Sequence, residues 1–374
     1  MSENKKEDAM TTSSSFVDGT KGELIYRGYD IRDLGVNATF EEVVYLLWND
    51  KLPNAHELDL FKAALQAKRF VPEAVLNIMR AFPRDAQPMA VLRTAVSAMG
   101  LIDRDADNIT YDGARDKALL LTAVMPSLVA AWERIRNGKE PIRARLGLSQ
   151  AANFLYMLDG REPNPDAVAA FDSYLVLLAD HGFNASTFSA RVTTSTGSDF
   201  YSAITSAIGT LKGPSHGGAT QRAMEQFFSA ADRGDIPAWF EESLAAGKRI
   251  MGIGHRIYKV EDPRARILKP LAENLANSSG QGQWFQVADT IQQLARQNEY
   301  FIERNLYANV DYYSAVVLYT IGLPVDQFTC IFAVSRIAGW CSQVLEQLAD
   351  NRLIRPKESY VGKRDQVYVP VGER

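Results

Sequence analysis

From Thr39 to Asp350 the apolar residues of this chain recur at helical spacing, and helix-start signals recur with them. Thr39 with Glu42 forms a capping box that opens a helix through Trp48. Pro53 and Asn54 open a second, with Leu58, Phe61 and Leu65 on one face. The pattern continues over 88–101 and 114–136, and Asn164-Pro165-Asp166 opens a helix to about Ala179. Gly197-Ser198-Asp199 caps another over 200–211, and further helices are expected over 219–231, 239–246, 263–277, 284–304, 313–321 and 326–350. Strand-like patterning is confined to 22–31 and 365–370. A mostly α chain without a solenoid repeat is expected.

With 374 residues the chain can form two domains. Seams near Gly213 and after Asp311 give a large domain (16–215 and 313–374), a smaller inserted domain (216–312) and a disordered polar tail (1–15). That tail lacks the apolar core of a signal peptide. The most apolar uncharged run, 118–132, is too short for a bilayer and contains Pro126, so it reads as a kinked buried helix. A net charge of −4 leaves no electrostatic footprint for nucleic acid. Cys330 and Cys341 stand eleven positions apart on one expected helix, about 16 Å along its axis, too far for a disulfide. A cytoplasmic setting fits best.

Two short pieces carry the chemistry: Gly213-Pro214-Ser215-His216-Gly217-Gly218-Ala219 and Met251-Gly252-Ile253-Gly254-His255-Arg256-Ile257-Tyr258-Lys259. Each sets a histidine among glycines, where the backbone can approach a ligand closely. His181 follows the end of a helix in Asp180-His181-Gly182, and His56 reads as a solvated helix residue. A metal site is disfavoured, because His181, His216 and His255 lie 35 and 39 positions apart, without the local pairing of zinc motifs. Gly213-Pro214-Ser215-His216-Gly217 matches a serine nucleophile elbow by letter, but that elbow needs a preceding strand and here a helix is expected. The remaining reading uses imidazoles as donors to developing oxyanions and a separate carboxylate as base. Asp311 is the candidate carboxylate, with a plain helix N-cap as its alternative. Arg336, inside the apolar run 331–340, needs a partner, which is either a substrate carboxylate or an internal acid. Arg264, after Asp262-Pro263, and Arg355, before Pro356, are further candidates.

Taken together these motifs resemble the citrate synthase family, from Leu24-Ile25-Tyr26-Arg27-Gly28-Tyr29-Asp30 through 213–219, 252–264 and 310–339 to Tyr360-Val361-Gly362. The resemblance implies a two-domain helical fold, with a smaller mobile helical domain. It implies condensation of acetyl-CoA with oxaloacetate to citrate and CoA, with acyl-CoA as co-substrate, no permanent cofactor and no metal. By motif, Asp311 resembles the base at the thioester α-carbon, His216 the donor to the enol oxygen, and His255 the donor to the ketone of oxaloacetate. His181 resembles an oxaloacetate contact, and Arg264, Arg336 and Arg355 its carboxylate clamps. Because the last arginine crosses a dimer interface in the family, a homodimer is implied. Residues Arg249, Ile250, Met251, Gly252 and Ile253 resemble the stretch that meets CoA adenine, and Lys259 a phosphate contact.

Some positions depart from the family pattern: Ser215 for a larger apolar residue, Gly182 for an acid, Ile253 for an aromatic, and Ser342-Gln343 for Ala-His. They leave acyl preference open, with 2-methylcitrate synthase acting on propionyl-CoA as the near alternative. A catalytically silent citrate- or CoA-binding paralogue is the alternative from another class. One methylene is worth only about 1–3 kcal/mol of discrimination.

Overall fold

The computed structural model describes residues 10–374. Of the expected tail, residues 1–9 lie outside the described residues, and its last part needs correction. Thr12 and Ser13 hydroxyls each donate to Glu346 at 2.7 Å, and Ser14 and Ser15 are buried. The departing pair Ser342-Gln343 receives this segment. Ser342 Oγ meets Ser14 Oγ at 2.7 Å, and Gln343 Nε2 donates to Thr12 Oγ1 at 3.1 Å.

Three short strands follow, β1 (Ser15–Asp18), β2 (Glu23–Tyr26) and β3 (Tyr29–Asp30), antiparallel in that order. The expected strand at 365–370 is absent: the segment is exposed, with Val367 at 86% and Tyr368 at 79%. Alternating side chains alone do not make a strand, which also needs a ladder partner, and among the described residues this segment pairs with none.

The first helices are α1 (Ile31–Asn37), α2 (Phe40–Asn49), α3 (Ala55–Ala67), α4 (Glu73–Arg80) and α5 (Pro88–Ile102). The Thr39/Glu42 box caps α2 as expected, and Asn54 with Glu57 caps α3 in the same way. Next come α6 (Tyr111–Arg136) and α7 (Gln150–Asp159). Pro126 lies inside α6 and has no N–H to give to the Thr122 carbonyl. The Gln150 side chain replaces it, donating to Thr122 O at 2.9 Å and to Ala123 O at 3.2 Å.

The chain continues through α8 (Pro165–Leu178), α9 (Ala185–Ser195), α10 (Phe200–Leu211), α11 (Ala219–Arg233) and α12 (Ile236–Ala245). It ends with α13 (Pro263–Ser278), α14 (Gly282–Gln297), α15 (Glu299–Glu303), α16 (Val310–Thr320) and α17 (Phe328–Ala349). Helices α11 to α16 pack chiefly on one another. They meet the rest through α13 against α1 and α8, α16 against α8, and α11 against α17. The seam expected between 312 and 313 therefore falls inside α16, a continuous helix seated on α11 and α13.

The core is organised on α17, buried at every residue from Phe328 to Leu345. By length and composition α6 and the segment Val325–Ala349 could cross a membrane. In the fold, 72% and 100% of their apolar windows are buried inside the protein, as core helices are. α17 runs so close to the end of α8 that Gly339 N–H bonds Ala179 O at 3.0 Å. A Cβ at Gly339 would sit 2.3 Å from that oxygen. This approach places Arg336 beside the turn that carries His181.

Candidate active site

His216 stands in the turn between α10 and α11. Gly217 lets the turn lie flat on the core, since a Cβ there would be 2.4 Å from Leu211 O, and Thr329 Oγ1 on α17 holds its carbonyl at 3.0 Å. The ring Nε2 lies 3.3 Å from Ser186 N and 2.8 Å from Ser186 Oγ. Ser186 is the second residue of α9, so its backbone N–H is one of the unpaired donors at a helix start. A backbone N–H only donates; Nε2 is therefore the acceptor, and the proton belongs on Nδ1. Trp340 Nε1 of α17 fixes Ser186 Oγ from behind at 3.0 Å. Burial first, and the Arg336 guanidinium second, lower the His216 pKa to about 4, which leaves the ring neutral.

His255 hangs from a loop with left-handed backbone at Gly252 (φ +76°) and Gly254 (φ +101°). A Cβ at Gly252 would lie 2.9 Å from Tyr312 Cα. The loop is zipped to the approach of α16: Gly254 N to Tyr307 O at 2.7 Å, Asn309 N to Gly252 O at 2.8 Å, and Asn309 Nδ2 to Gly254 O at 2.8 Å. His255 Nδ1 accepts the N–H groups of Ile257 and Tyr258, both at 3.1 Å, so its proton sits on Nε2. Burial, then Arg264, bring its pKa to about 4.

The same zipper places Asp311. The cap of α16 is Asn309, whose Oδ1 accepts Asp311 N at 2.9 Å, so the N-cap alternative for Asp311 is corrected: it stands in the first turn. The residue is half-buried; its carboxylate accepts from Thr220 Oγ1, and burial raises its pKa. His181 is buried between α8 and α9, with Nε2 3.1 Å from Tyr258 OH and its ring 5.6 Å from that of His255. Burial, then Arg264 and Arg336, push its pKa well down.

The two buried arginines differ. Arg264 Nε and Nη2 grip Asp262 at 3.0 and 2.8 Å, and Asp262 also takes Val310 N at 3.1 Å. Arg336 gives Nε to Leu178 O at 2.7 Å, stacks 4.7 Å from the Phe332 ring centroid, and makes no other hydrogen bond among the described residues. The fields of these guanidinium groups link the site: Arg336 acts on His216, His181 and Asp311, and Arg264 on His181, His255 and Asp311. Arg355 is not brought into this cleft; it lies exposed beyond α17.

Of the expected CoA stretch, Arg249 and Lys259 are exposed and Ile250 is buried. Gln226 braces it, accepting Met251 N at 2.8 Å and donating to Arg249 O at 2.7 Å. Lys259 N bonds Gly19 O at 2.8 Å, which ties the β1–β2 turn to this loop. Ser215 is exposed, makes no hydrogen bond to an imidazole, and follows a helix, so the nucleophile elbow has none of its required geometry. Ser186, Trp340, Tyr258, Thr220 and Asp262 escaped the sequence reading. Only Asp262, an N-cap ahead of Pro263-Arg264, left a signal that could have found it.

Residues 5–357 match the family model described as citrate synthase, C-terminal domain. The chain belongs to the citrate synthase family. The citrate synthase of Haloferax volcanii is 47% identical over 96% of this chain and 95% of its own. A 2-methylcitrate synthase of Mycobacterium tuberculosis is 40% identical over 96% and 89%. Among solved structures, the citrate synthase of the thermophilic archaeon Thermoplasma acidophilum, in ternary complex with carboxymethyl coenzyme A and oxaloacetate, superposes with a TM-score of 0.91. It shares 34% identity, with 98% of this chain and 97% of that one covered. The family that the motifs resemble and the helical fold expected from the apolar spacing are both borne out.

Proposed function

We propose that this chain condenses acetyl-CoA with oxaloacetate and water to citrate and CoA, with acyl-CoA as co-substrate and no permanently bound cofactor. One observation carries the mechanism: two neutral imidazoles each have one nitrogen occupied by backbone N–H donors, and each therefore offers the other as N–H. With one nitrogen already accepting, the single N–H of each neutral ring has a fixed place, and a donor already aimed at a developing oxyanion is worth about 3–4 kcal/mol. In this reading Asp311 takes the α-proton of the thioester while His216 Nδ1–H holds the oxygen that becomes the enol. The enol carbon then attacks the ketone carbon of oxaloacetate, whose oxygen is held by His255 Nε2–H. Water finally cleaves the citryl thioester and releases CoA.

His181, Arg264 and Arg336 hold the oxaloacetate, and the free edge of the Arg336 guanidinium supports its role as a carboxylate clamp. Arg355 serves the cleft of a second copy, so the working unit is a cytoplasmic homodimer; its exposure on the described chain fits that role. Residues 249–253 and Lys259 receive the CoA. The small domain 216–312 closes over oxaloacetate before the thioester is admitted, and α16 travels with it through its packing on α11 and α13.

The mechanism is tested by Asp311→Asn. Turnover is expected to fall at least about a hundredfold, with oxaloacetate binding retained; a variant that keeps most of its rate removes Asp311 as the base. The 40% identity to a 2-methylcitrate synthase supports propionyl-CoA as a second substrate. The ratio of kcat/KM for the two thioesters decides between them, and preference for the propionyl thioester overturns the acetyl assignment.

A further inference from the structure

The carboxylate of Asp311 is held from a different helix. Thr220, the second residue of α11, is buried and donates its hydroxyl to Asp311 Oδ1. Oδ2 has no hydrogen-bond partner among the described residues. Thr220 also follows His216 by four positions, so one short stretch carries both the imidazole and the group that holds the carboxylate.

We infer that Thr220 is a positioning residue for the base: by occupying Oδ1 it fixes the Asp311 rotamer and leaves Oδ2 as the atom presented to the α-proton. This rests on the reading of Asp311 as the base. The charged groups that act most strongly on Asp311 are Arg264 and Asp262 from α13 and its cap and Arg336 from α17, and Asp311 in turn acts on Tyr174 of α8. The α14 acid, Asp289, is engaged by Lys269 and stands beside Tyr313 instead. Among the groups that stabilise the ionised carboxylate against burial, the Thr220 hydroxyl has the largest effect. The hydroxyl therefore does two separable things, aiming the carboxylate and keeping it ionised.

Valine keeps the shape of threonine and removes the hydroxyl, and serine keeps the hydroxyl and removes the methyl. For Thr220→Val, kcat should fall about ten- to hundredfold with the KM for oxaloacetate nearly unchanged, as loss of a hydrogen bond to a charged group predicts. The acid limb of the kcat profile should also move up by about one pH unit, because the ionised base has lost its donor. Thr220→Ser should retain both the rate and the limb. Thr220→Ala carries the same comparison should the valine variant not fold. A valine or alanine variant with normal kcat and limb overturns the inference, and so do serine and valine variants that fall alike, which would assign Thr220 to packing. Asp311→Asn run alongside separates the two failures. If that variant is active, the base reading itself is wrong; if it is inactive while Thr220→Val is normal, only the role of Thr220 falls.

Discussion

Arg336 rises from the middle of α17, where every neighbour along the helix is buried. His255 hangs from a loop held by two left-handed glycines and a zipper of backbone hydrogen bonds. The helix half of the cleft (Arg336, Trp340 and the His181 turn) is positioned by packing, so its functional groups are also parts of the core. The loop half (His216 and His255) is positioned by backbone donors and close glycine contacts, so its imidazoles could be removed with the backbone framework intact. Damage to the first half should therefore cost folding and binding together, while damage to the second should cost chemistry alone.

The largest expected effect tests the helix half. In Arg336→Leu, the Leu178 carbonyl loses its donor. The buried Asp180 carboxylate, whose Oδ1 already lacks a partner, loses the nearby cation that favours its charge. Removing one partner from a buried charged cluster costs about 3–5 kcal/mol, and oxaloacetate affinity should fall by about two orders of magnitude. Denaturant melts and oxaloacetate titration read the two losses separately. A stable variant with normal binding would show that the helix half is not built as described, and lost stability with normal binding would make Arg336 purely structural.

Legibility in the sequence follows the same division. Helix α10 has the expected bounds, 200–211, because Asp199 is an unambiguous cap and the Lys212-Gly213 turn stops it. The single helix expected over 284–304 is broken at Asn298, whose backbone turns extended while its side chain caps α15 by accepting Tyr300 N at 3.0 Å. Helix α9 was not expected, since Ser, Thr and Asn dominate its start; the Asn184 cap and packing on α10 and α17 override that weak propensity. In the site, His216 and His255 were visible because glycines announce a special backbone. Ser186, Tyr258 and Thr220 were not, because common residue types acquire their roles only when distant helices meet.

A smaller effect tests the loop half through pH. Burial lowers the folded pKa of His216 and His255 from the ordinary 6.5 to about 4. Between those values the unfolded chain binds protons that the folded chain does not, so the contribution of the pair is whole above about pH 6.5 and is lost as the pH falls through about 4. Asp311, with a raised pKa, responds in the opposite direction. The comparison is therefore the wild type against His216→Asn/His255→Asn: as the pH falls from about 6.5 to about 4 the wild type should lose stability that the variant, with no ring to protonate at these positions, keeps. NMR signals showing either ring protonating near pH 6.5 would contradict the neutral-donor geometry.

The smallest expected effect separates the loop's backbone from its most suggestive side chain. Ser215 precedes His216 and completes an elbow-like string of letters, yet it is exposed and makes no hydrogen bond to the ring. What the turn contributes is the placement of His216, through Gly217 against Leu211 and the Thr329 bond, and none of that passes through the Ser215 hydroxyl. Ser215→Ala should thus keep kcat and KM within about twofold and leave stability within about 0.5 kcal/mol, as a surface change does. A loss of rate approaching that of Asp311→Asn would mean that a covalent serine route had been set aside wrongly, and the division between a packed half and a backbone-held half would have to be redrawn around it.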